Sequence, residues 1–122
     1  MKTGGCFCGA IRYSLNEDDY KVVNCHCTMC RRTSGAPFVS WLIVAREDFK
    51  ITAGSPAILK SSESATRTFC NRCGTPVTCT NEAHASIVDV TLGSLDDPTS
   101  FTPDGDFYVD TRLSWVKTDD DK

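Results

Sequence analysis

Short runs of alternating apolar and polar residues occur along most of the chain, and they predict β-strands rather than helices. Alternation places the apolar side chains of residues 10–15 on one face, and it does the same for residues 86–92, as in half-buried strands. Residues 38–44, with the sequence FVSWLIV, are apolar on both faces and are expected to form a central strand. Further short strands are expected at residues 58–60, 66–69 and 76–80.

Helical periodicity is confined to one place. A turn or two of helix is expected through residues 28–33, ending at the sequence SGAP, where Gly35 and Pro37 interrupt regular structure. The pattern therefore predicts an all-β or mainly β fold. A chain of 122 residues has room for one core, so we expect a single domain over residues 1–118, followed by a solvated acidic tail at residues 119–122.

The composition is that of a globular protein, with 40% hydrophobic and 24% charged residues. The longest apolar run, WLIVA at residues 41–45, is far shorter than the ~20 residues that span a bilayer, so no membrane span is expected. The first ten residues lack the apolar stretch of a secretory signal, which favours the cytoplasm. A net charge of -3 argues against generic binding of nucleic-acid backbone.

Eight cysteines are the unusual feature of the composition. In a reducing compartment this density indicates metal binding. A disulfide framework is the weaker alternative, because neighbouring cysteines would have to close strained small rings or find scattered partners. The cysteines form the pair Cys6 and Cys8, the group Cys25, Cys27 and Cys30, the pair Cys70 and Cys73, and the single Cys79.

The two isolated pairs predict one structural site. In CNRCG, Gly74 follows Cys73 and relieves the backbone crowding that arises when two sulfurs turn onto one ion. A tetrahedral structural zinc needs four ligands. We therefore expect Cys70 and Cys73 to meet Cys6 and Cys8, across 61 intervening residues, and to stabilise a small domain through the metal.

The remaining group, Cys25, Cys27 and Cys30, offers three thiolates within six residues. Three protein ligands with one open position are typical of a catalytic zinc. The alternative is a closed site, with Cys79, His26 or His84 as the fourth ligand. We favour Cys79 as a buried free thiol, and we expect His26 to project away from the metal and His84 to be exposed.

Three further side chains bear on the chemistry. Arg31 and Arg32 directly follow Cys30, and they are either a solvated pair or a clamp for the carboxylates of a ligand. Asp89 interrupts an apolar strand; it is a candidate general base, although an outward-facing residue is the favoured interpretation.

Four motifs resemble those of the glutathione-dependent formaldehyde-activating enzyme family, which includes the centromere protein V-like proteins. They match in order and spacing along nearly the whole chain. The motifs are GGCFCGAIRY from residue 4, CHCTMCRRTSG from residue 25, FCNRCGTP from residue 69 and GSLDDP from residue 93. Cys79 lies outside the family pattern, and Asp106 stands where family members often carry histidine.

The resemblance implies a β-tent fold of small packed antiparallel sheets. It implies a structural zinc on Cys6, Cys8, Cys70 and Cys73, and a second zinc on Cys25, Cys27 and Cys30. The implied activity is that of a carbon–sulfur lyase, which joins a thiol, glutathione, to a small aldehyde such as formaldehyde to give S-(hydroxymethyl)glutathione. Cys25, Cys27 and Cys30 would hold the catalytic metal, and Arg31 and Arg32 would bind the substrate carboxylates.

A second hypothesis belongs to a different class. It describes a zinc-stabilised binding module without turnover, and it predicts a closed second metal site. The metal count and the ligand set at Cys25, Cys27 and Cys30 distinguish the two hypotheses. The sequence leaves open a homodimer.

Overall fold

Ten strands and one α-helix form the regular structure of residues 1–118, the part of the chain that the computed structural model describes. The predicted acidic tail, residues 119–122, lies outside the described residues. The helix α1 spans Thr28–Ser34. The strands are β1 Lys2–Gly5, β2 Arg12–Leu15, β3 Lys21–Cys25, β4 Val39–Ala45, β5 Phe49–Ala53, β6 Ala57–Lys60, β7 Ala65–Phe69, β8 Pro76–Asn81, β9 Ile87–Thr91 and β10 Gly105–Phe107.

The strands form two sheets, of three strands in the order β1-β2-β5 and of seven in the order β10-β3-β4-β9-β8-β7-β6. Neighbouring strands are antiparallel, with one exception among the described residues: β10 pairs parallel to β3. A parallel pair needs a long connection between its strands, and here the chain passes through the six strands β4 to β9 between β3 and β10. The mainly β fold class predicted from the sequence is confirmed.

All six strands expected from the sequence are present, with ends that differ by at most two residues. The predicted helical turn is also present, and it ends at Gly35, which has a φ of 72° and donates its N–H to the Arg31 carbonyl. Four strands were not predicted: β1, β3, β5 and β10. Strand β1 has the sequence KTGG, which carries no apolar alternation, and its pairing with β2 determines its conformation.

Strand β4 contributes to two separate cores, which agrees with its expected apolar character on both faces. Leu42 and Val44 are fully buried in the main core, which contains side chains from both sheets. Trp41 points to the opposite face and packs in a second, smaller cluster with Cys25 and Cys30. The large sheet therefore carries the main core on one face and three of the expected metal ligands, with their surroundings, on the other. No helix within residues 1–118 is long and apolar enough to cross a membrane.

The segment after β9 connects the small sheet to the large one through hydrogen bonds and a salt bridge. The Tyr13 hydroxyl lies 2.6 Å from the Ser94 hydroxyl, and Arg12 forms a salt bridge with Asp96. The hydrogen bond with Arg12 lowers the pKa of Asp96 to about 2. The motif GSLDDP thus has a structural role, because it connects β2 to the end of β9.

Close packing around Gly4 gives a direct test of this junction. A Cβ at Gly4 would lie 2.6 Å from the Ser94 carbonyl oxygen and would also collide with the Tyr13 ring, whereas a Cβ at Gly93 would meet nothing within 4 Å. We expect Gly4→Ala to destabilise the protein by about 1–3 kcal/mol. The matched change Gly93→Ala should leave the free energy of unfolding unchanged or raise it slightly. Denaturant unfolding measures both, and equal stability of the two variants would contradict the packing described.

Candidate metal centres

The two isolated cysteine pairs meet in one cluster, which we call the four-sulfur cluster: Cys6, Cys8, Cys70 and Cys73. Their sulfurs all lie within 4.8 Å of one another. The Cys8 sulfur is 3.6 Å from that of Cys6 and 3.7 Å from that of Cys70. Four sulfurs placed ~2.3 Å from one ion at tetrahedral angles are ~3.8 Å apart. The donor set therefore fits a closed tetrahedral metal site.

The turn CNRCG directs its two sulfurs to the same point. Gly74 has a φ of 83°, and its N–H donates to the Cys70 carbonyl over 2.8 Å, which closes the turn. The Arg72 N–H points at the Cys70 sulfur, at 3.4 Å. The Thr75 hydroxyl lies 3.3 Å from the Cys73 sulfur, and hydrogen bonds from Thr75 are the main cause that lowers the pKa of Cys73 to about 5. The turn is thus arranged to hold thiolates.

Cys25, Cys27 and Cys30 form a second group, which we call the three-sulfur cluster. Its sulfurs also lie within 4.8 Å of one another. Cys25 ends β3, Cys27 caps the start of α1, and Cys30 lies in the first turn of that helix. The Cys30 N–H donates to the Cys27 sulfur over 3.3 Å. The two short elements therefore bring three metal-ligand sulfurs together without a fourth among the described residues.

A buried arginine lies against the three-sulfur cluster. Arg67 on β7 is 7% exposed, and its Nη2 points at the Cys30 sulfur at 3.6 Å. Its Nε donates to the Ser61 hydroxyl, and its guanidinium lies over the Trp41 ring at 5.9 Å. A hydrogen bond with Cys25, followed by the contact with Arg67, lowers the pKa of Cys30 to about 5. A permanent positive charge therefore faces the sulfurs.

The three-sulfur cluster opens into a cavity of about 320 Å³, which we call the cysteine cavity. Besides the three sulfurs, its walls include charged and nucleophilic side chains from the large sheet. Arg67 on β7 is opposite Cys79 on β8, and Cys79 is opposite Asp89 on β9, so the three form one row across the sheet. The cavity is lined in part by Cys25, Cys27, Cys30, Arg67, Cys79 and Asp89.

The position of Asp89 differs from the outward-facing one that the sequence favoured. It does not face outward but lines the cysteine cavity, because Val88 and Val90 occupy the other face of β9 and fill the main core. Burial, and next the negative charge of the Cys30 thiolate, raise the pKa of Asp89 to about 6. No hydrogen bond or salt bridge of the Asp89 side chain is found within residues 1–118. A carboxylate is thus exposed to the cavity without a protein partner.

The three side chains considered as a fourth ligand are not part of the three-sulfur cluster. His26 is buried and points the other way, with its Nε2 at 2.8 Å from an Asp106 oxygen and its ring against Phe38. His84 is exposed at the edge of the cavity. Cys79 is half-buried in the cavity wall, and burial raises its pKa.

Arg31 and Arg32 lie on α1 directly after Cys30, and neither lines the cysteine cavity. Arg31 is half-buried and Arg32 is exposed. The cation inside the cavity is Arg67, which the sequence analysis did not single out. Its signal in the sequence is weak, because an arginine in the alternating run ATRTF resembles any outward-facing strand residue.

All three residues of the segment 106–108 also belong to the surroundings of the site. Asp106 pairs with His26, and the His26 N–H donates to the Phe107 carbonyl at 2.9 Å, which fixes β10 beside the cluster. Tyr108 lines the cysteine cavity with a φ of 59°, the only positive φ of a non-glycine residue among those described. The Thr111 N–H and hydroxyl both donate to the Tyr108 carbonyl and hold this strained conformation.

Comparisons with known proteins agree with the fold. The family model described as "Glutathione-dependent formaldehyde-activating enzyme" matches residues 1–111. Among solved structures, a crystal structure of a Rhodobacter sphaeroides protein is similar, with a TM-score of 0.65 and 20% sequence identity. The match covers 77% of this chain and 87% of that one.

The geometry of the four-sulfur cluster predicts a structural role. Replacing Cys70 with Ser removes one donor from a closed tetrahedron, and because metal binding is coupled to folding we expect loss of one metal ion per chain and of several kcal/mol of stability. The matched control is Cys79→Ser, since Cys79 belongs to neither cluster. Metal analysis and thermal unfolding measure both effects. An unchanged metal content and melting temperature in Cys70→Ser would refute a structural role for this cluster.

Proposed function

Because the chain belongs to the glutathione-dependent formaldehyde-activating enzyme family, we propose that it is a zinc enzyme of the carbon–sulfur lyase type. It joins a thiol, glutathione, to a small aldehyde such as formaldehyde and gives S-(hydroxymethyl)glutathione. The observation that carries the proposal is the three-sulfur cluster, whose donors lie at the wall of a cavity of about 320 Å³ that a small reactant can enter.

The two clusters have different parts in this proposal. The four-sulfur cluster holds a structural zinc, since four donors complete its coordination. Cys25, Cys27 and Cys30 hold the catalytic zinc, with one coordination position left for a reactant. Zinc bound there supplies a Lewis acid and favours the thiolate form of a bound thiol.

Three arginines, one in the cysteine cavity and two on α1, complement the negative charge of the thiolates and of the substrate. The guanidinium of Arg67 lies beside the Cys30 sulfur, where it offsets part of the negative charge of three thiolates. Arg31 and Arg32 follow the cluster on α1, and we assign to them the carboxylates of glutathione. Holding two small reactants together in this way contributes up to about 7–11 kcal/mol to a bimolecular addition.

A second cavity gives room for the larger part of the thiol. It has a volume of about 330 Å³ and shares Trp41 and Arg67 with the cysteine cavity. Its remaining wall includes Thr68 and Thr78, whose hydroxyls lie 2.6 Å apart and hydrogen-bond each other, and Phe69. A peptide thiol larger than the cysteine cavity can therefore extend past Arg67.

Activity is tested by the exchange between glutathione and S-(hydroxymethyl)glutathione near equilibrium, measured by NMR with catalytic amounts of protein. Thiols add to formaldehyde readily without help, so exchange is compared with and without protein, and we expect it to exceed the spontaneous rate when protein is present. Cys27→Ser should abolish this increase in exchange rate. It should also reduce the metal content from two ions per chain to one, since the four-sulfur cluster stays intact.

The control is Cys79→Ser, which should keep both metal ions. Stoichiometric binding of glutathione without faster exchange would contradict the enzyme and favour a binding module. Two metal ions that leave together only on unfolding would contradict an open second site.

The arginines of α1 give a separate test of substrate recognition. We expect the double change Arg31→Ala and Arg32→Ala to weaken the binding of glutathione about tenfold or more, with little effect on 2-mercaptoethanol, which has no carboxylate. The melting temperature should change little, because half-buried Arg31 and exposed Arg32 form no salt bridge within residues 1–118. Arg72→Ala, at an exposed position of the CNRCG turn, is the matched control. Equal losses for both thiols, measured by calorimetry, would remove the assigned role.

A further inference from the structure

Asp89 lines the cysteine cavity but has no role in the function proposed above. It points from the middle of the large sheet into the cysteine cavity, in the row formed with Cys79 and Arg67. Its opposite neighbour on β4 is Ile43, an apolar residue that also lines the cavity. The carboxylate is therefore fixed on a rigid element, with apolar surface on one side and polar groups on the other.

The carboxylate is available for chemistry because nothing within residues 1–118 pairs with it. The nearest cation on the same row, Arg67, is directed to the Cys30 sulfur and the Ser61 hydroxyl instead. The other titratable groups that line the cavity come from every element around it: Cys25 of β3, Cys27 and Cys30 at the start of α1, Arg67 of β7, Cys79 of β8, His84 at the edge and Tyr108 after β10. A half-buried carboxylate without a hydrogen bond costs stability, and such groups concentrate at functional sites.

We propose that Asp89 is the proton-transfer group of the thiol–aldehyde addition, an inference that rests on the proposed function. Asp89 accepts the proton of the thiol and returns it to the oxygen of the aldehyde. A general base acts directly or through one water, and two small reactants confined to a cavity of about 320 Å³ stay within that reach.

The step balances without an oxidant or a reductant. The S–H bond of the thiol breaks and its proton passes to the Asp89 carboxylate, while a sulfur electron pair forms the C–S bond to the carbonyl carbon. The π electron pair of the C=O bond moves to oxygen. That oxygen then takes the proton from the Asp89 carboxyl, which gives the S-hydroxymethyl product and regenerates the carboxylate.

Asp89 suits this role better than its neighbours do. It lines the cavity from a central strand and has no hydrogen-bond partner within residues 1–118, so its carboxylate can both accept and return a proton. Burial raises the pKa of the Cys79 thiol, which makes it a poor acid in the cavity. His84 is exposed in a 3-10 turn, Glu82–His84, outside the sheet that positions the row.

The test compares exchange rates of the zinc-loaded chain with those of Asp89→Asn, which removes the acceptor but keeps the shape. We expect a fall in the catalysed rate of about 10²-fold or more. Zinc content and glutathione affinity should stay unchanged, since Asp89 belongs to neither sulfur cluster. In Asp89→Ala, which leaves room for a small carboxylate, added formate should restore part of the rate in proportion to its concentration, and chloride at equal ionic strength should not.

The control Asp19→Asn removes an exposed carboxylate away from the cavity and should behave as the unmodified chain. A catalysed rate that Asp89→Asn keeps, or a loss of zinc or glutathione binding in that variant, would overturn the role of Asp89 alone. Absence of rescue by formate in a folded, zinc-loaded Asp89→Ala protein would overturn it as well. No acceleration by the unmodified chain would instead overturn the proposed function, and this inference with it.

Discussion

The convergence of four sulfurs from two distant turns is the constraint on which the rest of the structure depends. Cys6 and Cys8 precede β2, while Cys70 and Cys73 connect β7 to β8, so their meeting fixes the small sheet against the large one. The hydrogen bonds from Tyr13 to Ser94 and from Arg12 to Asp96 hold the same junction from the other end of the chain. A domain of this size buries limited apolar area, and a metal ion bound by the four sulfurs would offset that shortage.

One face of the large sheet packs in the main core, and the opposite face carries the three-sulfur cluster and the cysteine cavity. Its strands β7, β8 and β9 carry Arg67, Cys79 and Asp89 side by side, and β3 with α1 brings three sulfurs over that row. The result is a small cavity that combines soft metal ligands, a fixed cation and an unpaired carboxylate. Side chains on strands hold their geometry better than those on loops, so the positions of these three groups relative to one another are well fixed.

The sequence predicted the parts of this arrangement that depend on local spacing. The cysteine groups, the short helix ending at Gly35 and the two-faced strand β4 all follow from neighbouring residues. Arg67 could not be predicted, and Asp89 was expected to face outward, because the side of the sheet that becomes the cavity depends on how distant strands pair. Strands β1 and β10 likewise owe their conformation to their partners, β2 and β3.

The central claim is that one metal site is closed by four sulfurs and the other is left open by three. X-ray absorption at the zinc edge, on protein that holds two zinc ions per chain, tests it most directly because it counts the ligands of both sites. The account predicts an average of about 3.5 sulfurs per zinc at ~2.3 Å, with the remaining ligand a lighter atom at ~2.0 Å. Four sulfurs around every zinc, or a single zinc per chain, would contradict it.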